Sequence, residues 1–139
     1  MTDINKVKEF FENDRFVKAC NITIKEAKEG YCECVMQISE NHLNAGNVIQ
    51  GGAIYTLADF TFAVAANCEG KMTVTQNADI TYIKAGKDDC IRAVANKISS
   101  GKSTCLYEVK VFDGSENVIA YATFNGFIKD IKMEFKKDS

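Results

Sequence analysis

The feature that most constrains this chain is the stretch GGAIYTLADFTFAVAANC, Gly51 to Cys68, eighteen positions with a single charge, Asp59. Apolar side chains occupy nearly every face at helical period, which predicts a helix that the rest of the chain must cover on all sides. The stretch barely reaches membrane-spanning length and contains Thr56, Asp59, Thr61 and Asn67, so it is read as a buried helix of a non-membrane protein. Burying an ionised carboxylate without partners costs several kcal/mol. An aspartate among Leu57, Ala58, Phe60 and Phe62 therefore has either a hydrogen-bonded structural role or a catalytic one.

Strand patterns flank the helix. Ala19–Lys28 and Tyr31–Ser39 read as strands joined by a hairpin turn at Glu29-Gly30. Beyond the helix, Met72–Lys84, Cys90–Ser99, Ser103–Phe112 and Val118–Lys129 are β-rich, and each connector between them holds a glycine. Cys105, Tyr107, Val109 and Val111 alternate with Glu108 and Lys110, so one sheet face is covered and the other is at least partly wet. Ile4, Val7, Phe10 and Phe11 predict a short amphipathic helix within residues 1–16, and ENHLNAGNVIQ reads as an irregular polar loop. The end of the chain, residues 131–139, is expected to fray. Short turns favour antiparallel neighbours, so the expectation is one α+β domain over residues 1–139, a long central helix wrapped by a curved antiparallel sheet of five to six strands.

Composition narrows the function. With 46% hydrophobic and 26% charged residues the chain is globular, and a net charge of −2 with scattered lysines offers no footprint for nucleic acid or an acidic membrane. The N-terminal segment MTDINKVKEFFENDRF is charged throughout and lacks an apolar export core, which points to the cytoplasm and to six reduced cysteines. Cys32 and Cys34 face one side of a strand, but no second pair or nearby histidine completes a zinc site, so no metal is expected.

Read together, NHLNAGNVIQGGAIYTLADFTFAVAAN resembles the hotdog-fold acyl-CoA thioesterases of the phenylacetate-pathway, PaaI-like, branch. The family pattern of Asn, a Gly-containing loop, His-Gly-Gly and a helical Leu-Ala-Asp falls on Asn44, Gly46, Gln50-Gly51-Gly52 and Leu57-Ala58-Asp59. Asp79-Ile80-Thr81-Tyr82 looks like the family's strand after the helix, and the likeness runs from about residue 30 to 130. The resemblance implies hydrolysis of an acyl-CoA to free acid and CoA, with no cofactor beyond the coenzyme A of the substrate. It implies Asp59 as general base or nucleophile, Gly51 as oxyanion donor, and Asn44 and Thr75 as groups that orient water, carbonyl or carboxylate.

Elementary chemistry agrees with those residue types. Backbone N–H groups at a helix N-terminus are unsatisfied and lie at the positive end of the dipole, and Gly51 and Gly52 expose them without a side chain in the way. Thr73, Thr75, Asn77, Asp79 and Thr81 share one polar face of an ideal strand, directed at solvent or at a site. Gln50 stands where the resembled family has histidine, so that position can hydrogen-bond but not titrate. His42, the one histidine, falls in the polar loop and is read as solvated. Substrate contacts are expected from Gln50, Gly52 and Tyr82, with Lys84 and Lys102 placed at turns for the CoA phosphates. The alternative is a hotdog module that binds acyl-CoA or another small ligand without turnover, with Asp59 structural.

Gly51 and Asp59 are eight residues apart, roughly 12 Å along one helix. One carbonyl cannot meet both, so the expected assembly is a homodimer with antiparallel helices and shared sites, extending to a dimer of dimers (homotetramer).

Overall fold

The computed structural model describes residues 1–138. Strands β1 (Ile22–Lys28), β2 (Tyr31–Gln37), β3 (Lys71–Tyr82), β4 (Cys90–Ser100), β5 (Thr104–Phe112) and β6 (Val118–Lys132) form one antiparallel sheet. Their order is β1-β2-β4-β5-β6-β3, which leaves β1 and β3 at the edges. The long helix, here α3 (Gly51–Asn67), touches every strand. This is the hotdog arrangement: a sheet rolled around a helix that has apolar residues on nearly all sides.

The alternation in β5 holds, with Tyr107, Val109 and Val111 fully buried and Cys105 nearly so. Phe62 of α3 stacks on Phe124 of β6 at 5.1 Å and meets Tyr107 edge-on at 5.2 Å, a favourable geometry for aromatic pairs. The β1–β2 hairpin turns at Gly30, whose φ of +74° suits glycine, and its N–H reaches Ala65 O on α3 at 3.4 Å. Cys32 and Cys34 are core filler, fully buried with their sulfurs 3.6 Å apart.

The expected short N-terminal helix is present as α1 (Ile4–Phe11), and a second, α2 (Arg15–Ala19), follows it because the Asp14 carboxylate accepts the Val17 N–H at 3.1 Å and starts a new helix. Two expectations need correction. The tail is held through its described residues: Asp3 N–H donates to Phe135 O at 2.6 Å, Lys137 N–H to Met1 O at 2.9 Å, and the Phe135 ring is buried. Ser139, the end of that tail, lies outside the described residues. His42 is buried rather than solvated. Its Nδ1 accepts the Ser39 N–H at 2.9 Å, which leaves Nε2–H to donate to Cys20 O at 2.8 Å and ties the loop to the end of α2.

No helix among the described residues is long and apolar enough to cross a membrane. One glycine sets how closely α3 meets the sheet. A Cβ at Gly126 of β6 would stand 2.7 Å from Thr73 Cγ2, 2.8 Å from Cys105 Sγ and 2.9 Å from Phe62 Cζ. Gly126→Ala is expected to destabilise the fold by about 1–3 kcal/mol in denaturant unfolding. Gly101→Ala, where a Cβ meets nothing nearer than Thr104 O at 3.7 Å, is the control and should stay within about 0.5 kcal/mol.

Candidate active site

The polar side chains of α3 differ in what they bond. Thr56 and Thr61 hydroxyls donate back to the carbonyls of Gly52 and Leu57, at 2.8 and 2.7 Å. Asn67 clamps β3, donating to Thr73 O and accepting the Thr73 N–H, both at 3.0 Å. Asp59 lies on a stripe with Gly52, Thr56 and Ala63, spaced as one helix face, and this stripe is where α3 is left partly open. Asp59 Oδ1 accepts one hydrogen bond, from Thr75 Oγ1 at 2.7 Å. Burial pushes the Asp59 pKa above the usual carboxylate value; the Thr75 hydroxyl pulls the other way, and the nearby Asp14 carboxylate adds a smaller upward push.

Thr75 reaches Asp59 because β3 is irregular. The pairing of β3 with β6 shifts register between Thr75 and Asn77, where Gln76 is the extra residue of a bulge. Before the bulge Thr73 and Thr75 point toward α3; beyond it Ala78, Ile80 and Tyr82 take over the inner face. The five polar residues expected on one face therefore do not share it: Asp79 and Thr81 lie outside, exposed.

At the N-terminus of α3, Gln50 is the cap, its Oε1 accepting the Gly52 N–H in a short hydrogen bond. That bond occupies the Gly52 N–H, which had been expected to face substrate. Among the described residues no acceptor is found for the Gly51 N–H. Tyr82 packs over Gly51: its hydroxyl donates to Gly51 O at 3.1 Å, and a Cβ at Gly51 would meet its ring at 3.3 Å. Asn44 shapes the preceding loop, where Oδ1 accepts the N–H groups of Gly46 and Val48 at 2.9 and 3.3 Å. With Oδ1 so engaged, the amide Nδ2 is the group Asn44 has to offer a ligand.

The two lysines do not come together. Lys84 follows β3 beside Ile119, near the β5–β6 turn, whereas Lys102 sits in the β4–β5 turn at the other end of β5. β5 has nine residues, about 30 Å of strand. Within one chain they cannot hold the same phosphate group.

A cavity of about 190 Å³ opens beside Asp59, between α3 and the N-terminal helices, with Asp14, Phe16 and Tyr55 in its wall. Larger cavities, of about 540 and 480 Å³, lie along the C-terminal segment away from Asp59, and the geometry around the carboxylate weighs more than their size. Sequence reasoning missed Asp14 and Phe16, because only the fold carries α2 to Asp59. Tyr55, four residues before Asp59 on the helix, was legible from spacing.

The chain matches the family model of the thioesterase superfamily over residues 46–120. It is 36% identical over 138 residues to a putative esterase of Archaeoglobus fulgidus, covering 98% of this chain and 88% of that one. It is 30% identical over 111 residues to the acyl-coenzyme A thioesterase PaaI of Escherichia coli, 79% of each chain. A solved structure of the E. coli PaaI protein from the phenylacetic acid degradation operon superposes with a TM-score of 0.89 at 24% identity, over 94% of this chain and 96% of that one. A hypothetical thioesterase of Streptococcus pneumoniae, solved with coenzyme A, superposes with a TM-score of 0.82 at 23% identity, over 90% and 98%. With its fold, its Asn-Gly-Gly-Asp spacing and these likenesses in agreement, the chain belongs to the thioesterase superfamily, in its PaaI-like branch.

Proposed function

We propose that the protein is a thioester hydrolase that cleaves an acyl-CoA to free acid and CoA, with Asp59 as general base or nucleophile. The observation that carries this reading is the Asp59 carboxylate: half-buried, held by Thr75 at 2.7 Å, and facing a cavity instead of a salt-bridge partner. The coenzyme A held by the S. pneumoniae relative supports the substrate class.

As base, Asp59 takes a proton from water while the oxygen attacks the thioester carbon. The oxyanion that forms is met by the Gly51 N–H and the Asn44 amide; its collapse expels the CoA thiolate, which takes up a proton. As nucleophile, the carboxylate attacks the same carbon, CoA leaves, and water cleaves the mixed anhydride. A carboxylate with a raised pKa is the better base near neutral pH. Gln50 holds the helix end and takes no proton in either route.

The two halves of this machinery cannot belong to one chain. Gly51 and Asp59 lie roughly 12 Å apart along α3, so each site uses the helix end of one protomer and the carboxylate of another. Edge strand β3, with Val74 and Tyr82 exposed, offers the surface for a two-fold dimer. The same reading keeps the protein in the reducing cytoplasm, with the cysteines as free thiols.

Thiol release from a panel of acyl-CoAs tests the activity, and Asp59→Asn tests the assignment: kcat is expected to fall about 10²-fold or more. The same variant carries a stability signature. Because the folded pKa is raised, the unfolded chain ionises first as pH rises, and the wild type loses stability through that window while the variant does not. Asp59→Asn should have the higher Tm at pH 7, with the gap closing near about pH 4. Retained turnover in a folded Asp59→Asn protein would make Asp59 structural, and no wild-type turnover on any substrate would make the protein a binding module.

Shared sites predict complementation. Asn44→Asp keeps the acceptor that the Gly46 and Val48 N–H groups need but removes the Nδ2 donor. Combined with Asp59→Asn in a verified mixed dimer, both lesions fall in one site. Activity should recover toward half of wild type per mixed dimer, and no recovery would refute the shared site.

A further inference from the structure

The cavity beside Asp59 has α3 on one side and the N-terminal helices on the other, and hydrolysis itself gives those helices no task. Phe11, Phe16, Tyr55 and Phe60 supply its aromatic surface, while Asp14 and Asp59 supply carboxylates. Phe11 and Phe60 meet edge-on, ring centroids 5.5 Å apart, which fixes the inner wall. Phe16 is 66% exposed, an aromatic ring held at the rim by a helix of five residues. Resting on the acyl-CoA reading above, we propose that α1 and α2 form an acyl pocket that selects a neutral, apolar acyl group and refuses one ending in a carboxylate.

Apolar surface sets the first limit: the wall of Phe11, Phe16, Tyr55 and Phe60 suits a hexanoyl chain or a benzoyl ring, whereas an acetyl group has little apolar surface to set against it. Such an occupant covers the exposed face of Phe16, a burial that a shorter acyl group cannot achieve. Charge sets the second. One oxygen of Asp14 caps α2 at Val17 N–H, and among the described residues neither Asp14 nor Asp59 has an ion-pair partner. A third carboxylate brought between them meets like charge in a partly desolvated space. The position is also right, because a chain lying in this cavity starts at the Asp59 carboxylate, where its carbonyl carbon must be.

The test compares acetyl-, hexanoyl-, benzoyl- and glutaryl-CoA, glutaryl being close to hexanoyl in length but ending in a carboxylate. In the wild type kcat/KM should be at least about 10-fold higher for hexanoyl and benzoyl than for acetyl or glutaryl. Phe16→Ala, at an exposed position, should lower the hexanoyl-to-acetyl ratio about 10-fold. Asp14→Asn, whose amide oxygen can still cap α2, should raise the glutaryl-to-hexanoyl ratio about 10-fold. Ratios that do not move in either variant overturn the proposal. Calorimetric binding of hexanoyl-CoA in the Asp59→Asn background, where the thioester is spared, separates the two readings: a Kd weakened by added Phe16→Ala without wild-type turnover leaves the pocket and refutes the hydrolase. Wild-type turnover with a Kd that added Phe16→Ala does not move leaves the hydrolase and refutes the pocket.

Discussion

A helix with apolar residues on nearly every face cannot rest on a flat sheet, and that constraint organises this molecule. Ten of the seventeen residues of α3 are buried, which requires contact with strands on several sides and rolls the sheet around the helix. One stripe remains incompletely covered, through Gly52, Thr56, Asp59 and Ala63. On that stripe the carboxylate keeps contact with water or a ligand. The wrapping that creates the core thus also decides where a charge is tolerated.

The second determinant is the bulge at Gln76. A regular β3 would keep Thr73, Thr75, Asn77, Asp79 and Thr81 on one face and turn Ala78, Ile80 and Tyr82 outward. The extra residue lets a single strand do two jobs. Its first half offers Thr75 to Asp59, and its second half packs Ala78 and Ile80 against the core and brings Tyr82 to the N-terminus of α3. Gly126 lies opposite Thr75, and its lack of a side chain makes room there for Thr73, Cys105 and Phe62. The strand irregularity and the glycine together set the position of the hydroxyl.

What was legible in the sequence follows from this. The helix, its lone aspartate and the alternation in β5 could be read from local periodicity, because burial imposes that periodicity directly. The bulge could not, since an inserted residue leaves the strand pattern rich in β-formers and changes only its phase. The split of the N-terminal helix depends on Asp14 acting as a cap, a signal present but weaker than the continuous spacing of Val7, Phe10 and Phe11. His42 and the C-terminal segment were misjudged for one reason: their partners, Cys20 O and Asp3 N–H, are distant in sequence, and polarity alone says nothing about such contacts. The meeting of α2 with Asp59 belongs to the same class.

The electrostatics of Asp59 show why half-burial is the useful state for such a group. Fully exposed, the carboxylate would have an ordinary pKa and be a weak base; fully buried, it would hold its proton at neutral pH and be no base. The open stripe on α3 places it between these limits. Thr75 then works against the desolvation, donating to the charged form and keeping it populated, while Asp14 pushes in the opposite direction. That balance, at the one carboxylate of so apolar a helix, is what the proposed role of Asp59 as base or nucleophile rests on.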